Sequence, residues 1–298
     1  MLAVLLGLAV VVSAQETATR TNRPARRGPS ALPAGTQALR NLEYVPNGHE
    51  RQKLDLYLPE KGEKLPLIIW VHGGAWQEGS KDRCPALPFL NQGYAVASIN
   101  YRLSQHALYP AQIEDCKAAV RWLRANAAKY RLDPDRFGAW GSSAGGHLVA
   151  LLGTTGGVKD FDKGENTNVS SKVQAVCDWF GPTDFLRIGT FPSSINHDSP
   201  ESPESKLLGG PARQIRDKAA QANPITFITS NAAPFLIMHG DQDNTVPINQ
   251  SELLNEALKK AGIAVTYIVV PGAGHAIGGE DNLKLVRDFF EKHLKAKK

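Results

Sequence analysis

Short continuous apolar runs recur along the chain at Leu65 to Val71, Tyr94 to Tyr101, Phe137 to Trp140, Val173 to Trp179, Phe235 to Met238 and Val265 to Val270. Each is rich in β-branched or aromatic residues and lacks polar alternation, the pattern of parallel strands covered on both faces. Between these runs the apolar spacing changes to three and four. Ile113, Cys116, Ala119, Val120, Leu123 and Ala127 predict a helix within Ala111 to Tyr130. Leu254, Leu258 and Ala261, then Leu283, Val286, Phe289, Phe290 and Leu294, predict two more near the end. Strand and helix in alternation imply an α/β fold, a doubly wound and mostly parallel sheet with helices on both faces. Leu42 to Val45 and Gln52 to Leu58 flank Pro46-Asn47-Gly48 and predict an antiparallel hairpin at its start, because Asn-Gly supplies the positive φ of a tight turn. From about 153 to 231 the rhythm is broken by polar, Pro-rich segments such as Ser193 to Glu204, read as including a lid-like insertion over a site.

The N-terminus does not share this pattern. An apolar run from Leu2 to Val12 ends in Val12-Ser13-Ala14, small residues of the kind cleaved by signal peptidase. Residues 1–14 are therefore read as a signal peptide cut after Ala14, and the protein as exported to the periplasm or beyond the cell. No Lys or Arg precedes the run, where a basic segment is usual. The run falls short of the roughly 20 residues a membrane helix needs, so no stable span is expected in the mature protein. Residues 15–41, rich in Thr, Arg, Pro and Ala, read as a flexible leader, and 42–298 as one catalytic domain.

Composition changes this picture little. The 298 residues are 42% hydrophobic and 21% charged, with 27 Gly and 19 Pro, as suits a globule rich in turns. A net charge of +5 does not point to nucleic acid, since its only basic clusters are Arg23 to Arg27 and Lys292 to Lys298, at the two ends. Three cysteines permit at most one internal disulfide. Cys84 and Cys116 each stand where a helix is expected to begin, whereas Cys177 lies inside an apolar run, so Cys84–Cys116 is the expected pair.

Candidate chemistry gathers at the ends of the apolar runs. Trp140-Gly141-Ser142-Ser143-Ala144-Gly145-Gly146 follows one run and precedes a helical pattern. Only Ser143 has glycine two positions to either side, the spacing of a nucleophile elbow, where a sharp strand-to-helix turn leaves no room for flanking side chains. His72-Gly73-Gly74-Ala75-Trp76 closes an earlier run. Its backbone, with the amide after the nucleophile, can form an oxyanion hole, which assigns Gly74, Ala75 and Ala144 as donors. Chain order in such a fold requires an acid and then a histidine after the serine. Asp241 and Asp243 both follow Phe235 to Met238, and spacing does not choose between them. Among the histidines only His275 lies in a Gly-rich turn after the last predicted strand. His72, at a strand end, reads as a brace for its loop. No His-x-x-x-His, Cys-x-x-Cys or G-x-G-x-x-G element argues for a metal or organic cofactor.

Taken together, His72-Gly73-Gly74-Ala75-Trp76, Gly141-Ser142-Ser143-Ala144-Gly145-Gly146, His239-Gly240-x-x-Asp243-x-x-Val246-Pro247 and Gly272-Ala273-Gly274-His275 resemble the α/β-hydrolase lipase/esterase group related to hormone-sensitive lipase. The likeness is greatest to the bifunctional feruloyl/acetylxylan esterase-like proteins and more distant to the catalytic domain of prolyl oligopeptidases. It runs from about Leu42 to Leu294. It implies an α/β-hydrolase fold, a triad of Ser143, His275 and Asp243 in preference to Asp241, and no cofactor. Ala75 stands where many relatives carry a third glycine, and Trp76 beside it is a candidate substrate contact. The resemblance further implies a small-molecule or polysaccharide ester as substrate, with acetyl or feruloyl groups on carbohydrate as examples. An arylformamidase, a peptidase-like hydrolase and a silent binding module on the same scaffold are the alternatives.

Overall fold

The apolar runs become strands of one eight-stranded sheet in the computed structural model, which describes residues 32–295. All are inner strands except Val265 to Val270, which, against the expectation of cover on both faces, forms a partly exposed edge. The predicted signal peptide, and the leader as far as residue 31, lie outside the described residues. In chain order the strands are β1 (Gln37–Glu43), β2 (Lys53–Leu58), β3 (Leu65–Val71), β4 (Ala95–Ile99), β5 (Leu132–Ser142), β6 (Ala175–Trp179), β7 (Phe235–Gly240) and β8 (Val265–Val270). Their order across the sheet is β1-β2-β4-β3-β5-β6-β7-β8, and only β2 runs against the rest. Along β3, Leu67, Ile69 and Val71 pack into one core layer while Ile68 and Trp70 pack into the other. Both faces are therefore covered. The helices α1 (Ala111–Ala125), α2 (Ala144–Thr154) and α5 (Asn249–Lys260) bury apolar faces in the first layer. In the second, α6 (Glu280–Leu294) joins Phe89 and Leu90 of a short 3₁₀ turn. This is the α/β-hydrolase fold.

Two further expectations need correction. Order begins before Leu42: β1 starts at Gln37 and takes up the last five residues assigned to the leader. No apolar rhythm announces it, because it is a half-exposed edge strand whose register breaks between Leu39 and Leu42, with Asn41 at φ 55. Polar bonds hold that break. Arg40 Nη1 and the Asn41 amide both donate to the buried Asp55 carboxylate, at 2.9 and 2.8 Å.

The stretch from 153 to 231, expected to include an insertion, also carries β6, at the run predicted from Val173 to Trp179. Residues 158–163 are tied to α1 by Asp162, which pairs with Lys117 at 3.2 Å and Arg121 at 2.9 Å. Only the part after β6, residues 180–234, adds chain over the carboxyl edge, with α3 (Pro203–Leu208) and α4 (Arg216–Gln221) as its helices.

All three cysteines are free thiols. Cys116 packs in the α1 layer and Cys84 against the opposite layer, so the whole sheet separates them. A disulfide needs Cα atoms within about 7 Å, which no pair across a sheet satisfies.

Among the described residues, no helix is long and apolar enough to cross a membrane.

Candidate active site

Four loops leave the carboxyl ends of β3, β5, β7 and β8 and converge, the usual site of ligand chemistry in an open parallel sheet. The loop after β5 is the tightest. Ser143 has φ 54 and ψ −123, a strained conformation for a residue with a side chain, and α2 starts at the next residue. A Cβ at Gly141 would run into the Gly145 carbonyl, and one at Gly145 into the Val71 carbonyl. Close approach of strand and helix is what excludes side chains at both flanking positions.

At this elbow Ser143 Oγ lies 2.9 Å from His275 Nε2, and His275 Nδ1 lies 2.7 Å from Asp243 Oδ2. A carboxylate can only accept, so Nδ1 carries the proton and Nε2 is left to accept from the serine hydroxyl. Asp243 Oδ1 accepts in turn from the amides of Thr245 and Val246 at 2.9 and 3.0 Å. Burial pushes the Asp243 carboxyl up, but bonds from His239, His275 and the Val246 amide outweigh it and hold the group well below the ordinary carboxylate range. It therefore remains ionised. Asp241, by contrast, is exposed and accepts from the Gly272 amide at 2.7 Å.

The loop after β3 faces the same point. Gly74 and Ala75 line a cleft of about 520 Å³ together with Ser143 and His275. The amides of Gly74, Ala75 and Ala144 have no hydrogen-bond acceptor among the described residues. Each adequately aimed donor of this kind contributes roughly 2.7–4 kcal/mol to a developing oxyanion. Trp76 is buried edge-on against His147 and Phe185, and bounds a second, smaller cavity that also reaches Ser143.

The sequence matches the BD-FAE family model over residues 54–258. The chain belongs to the BD-FAE family. This BD-FAE chain is 33% identical over 246 residues to Esterase LipQ of Mycobacterium tuberculosis, a match covering 79% of the chain and 56% of LipQ. It thus spans little more than half the length of that relative. Among solved structures it is similar to a truncated form of a carbohydrate esterase from gut microbiota, with a TM-score of 0.80 and 37% identity over 86% of this chain and 95% of the other. Esterase 2 of Thermogutta terrifontis, phosphorylated by paraoxon, gives a TM-score of 0.67 and 26% identity over 87% and 94% of the two chains.

Several residues of the BD-FAE site had no sequence signal. Arg51, in the turn between β1 and β2, donates from Nη2 to His72 Nε2 at 3.0 Å. Arginine never accepts, so His72 Nδ1 holds the ring proton and donates it to the Gly73 carbonyl at 2.7 Å. Burial pulls the His72 imidazole down to about 4; the Gly73 carbonyl works against this and the Arg51 charge adds to it. The ring is neutral and braces its loop, as its position at a strand end predicted. His239 braces the acid loop, donating from Nε2 to the Val246 carbonyl at 2.9 Å, with Nδ1 lying 2.7 Å from Ser251 Oγ.

Asp178, on β6, is the other such residue. Its Oδ1 accepts from the Gly181 amide at 3.0 Å, yet burial pushes the carboxyl up to about 7, with that amide pulling the other way. The unfolded chain releases this proton near the ordinary 3.8, whereas the folded chain holds it to about 7. Between those values a rising pH penalises the folded state progressively, and above them the penalty is constant, on the order of a few kcal/mol. Asp178→Asn keeps the acceptor without the charge. Its gain in Tm over the parent is expected to be near zero at the acid end of this window and largest above it. Melting curves showing a difference independent of pH would rule out a protonated native Asp178.

Proposed function

We propose that this chain is a serine carboxylic ester hydrolase acting through an acyl-enzyme. The observation that carries the reading is the unbroken relay from Ser143 through His275 to Asp243, at 2.9 and 2.7 Å, beside three free backbone amides. In this reading His275 takes the Ser143 proton as the oxygen attacks the ester carbonyl. Negative charge develops on the carbonyl oxygen, where the amides of Gly74, Ala75 and Ala144 stabilise it. His275 then protonates the departing alkoxide. Water repeats the sequence on the acyl-enzyme and returns the serine. Asp243 holds the tautomer and offsets the transient imidazolium charge. Every step uses the chain's own groups and water.

The substrates proposed are short acyl esters, or acetyl and feruloyl esters of carbohydrate. Support comes from the LipQ likeness for ester chemistry and from the gut carbohydrate esterase for the sugar.

Esterase 2 of T. terrifontis is phosphorylated by paraoxon, which suggests the direct test. Paraoxon is expected to abolish p-nitrophenyl acetate hydrolysis and to leave a single diethylphosphoryl group on the peptide containing Ser143. Labelling elsewhere with activity lost, or turnover of N-formylkynurenine or peptides in place of esters, would refute the proposal.

A further inference from the structure

Two cavities of unequal size meet at Ser143, and the path of the proton distinguishes them. The larger, about 520 Å³, is bounded by His275, Ala276 and Ile277, with Trp179 and Phe180 opposite. The smaller, about 40 Å³, is bounded by Ala144, Trp76, Ile195, Pro203 and Val246 and does not touch His275. Ser143 and Ala75 line both. In ester hydrolysis the departing oxygen must receive its proton from the imidazole, so the alcohol part lies on the His275 side. The acyl carbon stays bonded to Ser143 with its oxygen toward the amides, and its chain extends the other way.

We infer that the 40 Å³ cavity is the acyl pocket, that Ile195 determines its depth, and that it confines the acyl group to acetyl or slightly longer while the large cleft takes the alcohol. This rests on the esterase reading and narrows it. One water requires roughly 10–15 Å³ of such volume, so the pocket accepts about three or four heavy atoms beyond the carbonyl carbon, no more than a butyryl chain or one atom longer. A feruloyl group, whose aromatic ring belongs to the acyl part, does not fit.

The wall that sets this limit is fastened down. His197 Nε2 donates to the Thr245 carbonyl at 3.2 Å, and its Nδ1 lies 3.1 Å from Glu204 Oε1, with both side chains buried. The Ser194 amide and hydroxyl donate to the Asn244 carbonyl at 2.6 and 2.7 Å. Ile195 and Pro203 are thereby held against the loop that carries Asp243. The 520 Å³ cleft, walled by Trp179 and Phe180, offers the aromatic faces and the room that a sugar alcohol needs.

The test is kcat/KM on p-nitrophenyl acetate, butyrate and hexanoate and on methyl ferulate, with Ser143→Ala as the blank. Wild type is expected to lose about tenfold or more from butyrate to hexanoate, whose two added methylenes exceed the pocket, since even one methylene in a fitted apolar pocket changes rates about 10- to 200-fold. Ile195→Ala should raise the hexanoate-to-butyrate ratio about tenfold, and the milder Ile195→Val should move it in the same direction. Ile277→Ala, in the large cleft, should instead change preference between p-nitrophenyl acetate and acetylated xylose and leave the acyl ratio in place. The partition is overturned if wild type hydrolyses hexanoate or methyl ferulate as efficiently as acetate, or if Ile277→Ala moves the acyl ratio and Ile195→Ala does not. Absence of any Ser143-dependent ester hydrolysis would instead remove the esterase reading, and the partition with it.

Discussion

Replacing Ser143 with alanine is expected to cut kcat for p-nitrophenyl acetate by roughly 10⁶-fold, about 8 kcal/mol of barrier, while leaving the fold intact. The loss is large because the hydroxyl is the atom that bonds to carbon, and nothing beside it can substitute. The amides of Gly74, Ala75 and Ala144 remain, so the variant should still exceed the uncatalysed rate by roughly 10³- to 10⁴-fold. Stability should not suffer. Among the described residues the side chain of Ser143 bonds to His275 alone, and alanine meets the same backbone strain at φ 54 that serine does. Thermal melting alongside initial rates checks both halves. A variant within tenfold of wild type would place the nucleophile elsewhere.

Asp243→Asn should cost about 10⁴-fold, and the local bonds explain why a near-isosteric change does so much. The amides of Thr245 and Val246 require an acceptor, so the asparagine oxygen turns to them. Its NH₂ then faces His275. The ring must answer by presenting a bare Nδ1, which moves its proton to Nε2 and leaves no acceptor for the Ser143 hydroxyl. Asp241→Asn, two residues away on the exposed side of the same loop, should change kcat less than tenfold. Rates for the two variants in the reverse order would exchange the roles of the aspartates.

Both substitutions fall where the sequence could be read well. The inner strands β3, β4 and β7 are apolar runs because both faces are covered, and the elbow is visible because two glycines are sterically required beside one serine. Spacing stopped short at the acid. Asp241 and Asp243 follow the same strand, and only contact with His275 or a family pattern separates them. Edge strand β1 was illegible for a different reason: a bulge at Asn41 breaks its alternation, and the bulge is held by bonds to Asp55, which leave no apolar period to read. The 180–234 segment is built of short helices and 3₁₀ turns joined by side-chain bonds, which leave no period to detect. Arg51 was hidden likewise, since its partner His72 is 21 residues away on another loop. The cysteine pairing failed because position along a helix says nothing about which side of a sheet that helix covers.

That last point reaches beyond the pairing itself. With Cys116 and Cys177 fully enclosed and Cys84 packed against the opposite layer, no crosslink supports the described fold. Dithiothreitol should therefore leave its melting temperature unmoved, and active enzyme should be recoverable from a reducing cytosol as readily as from an oxidising medium.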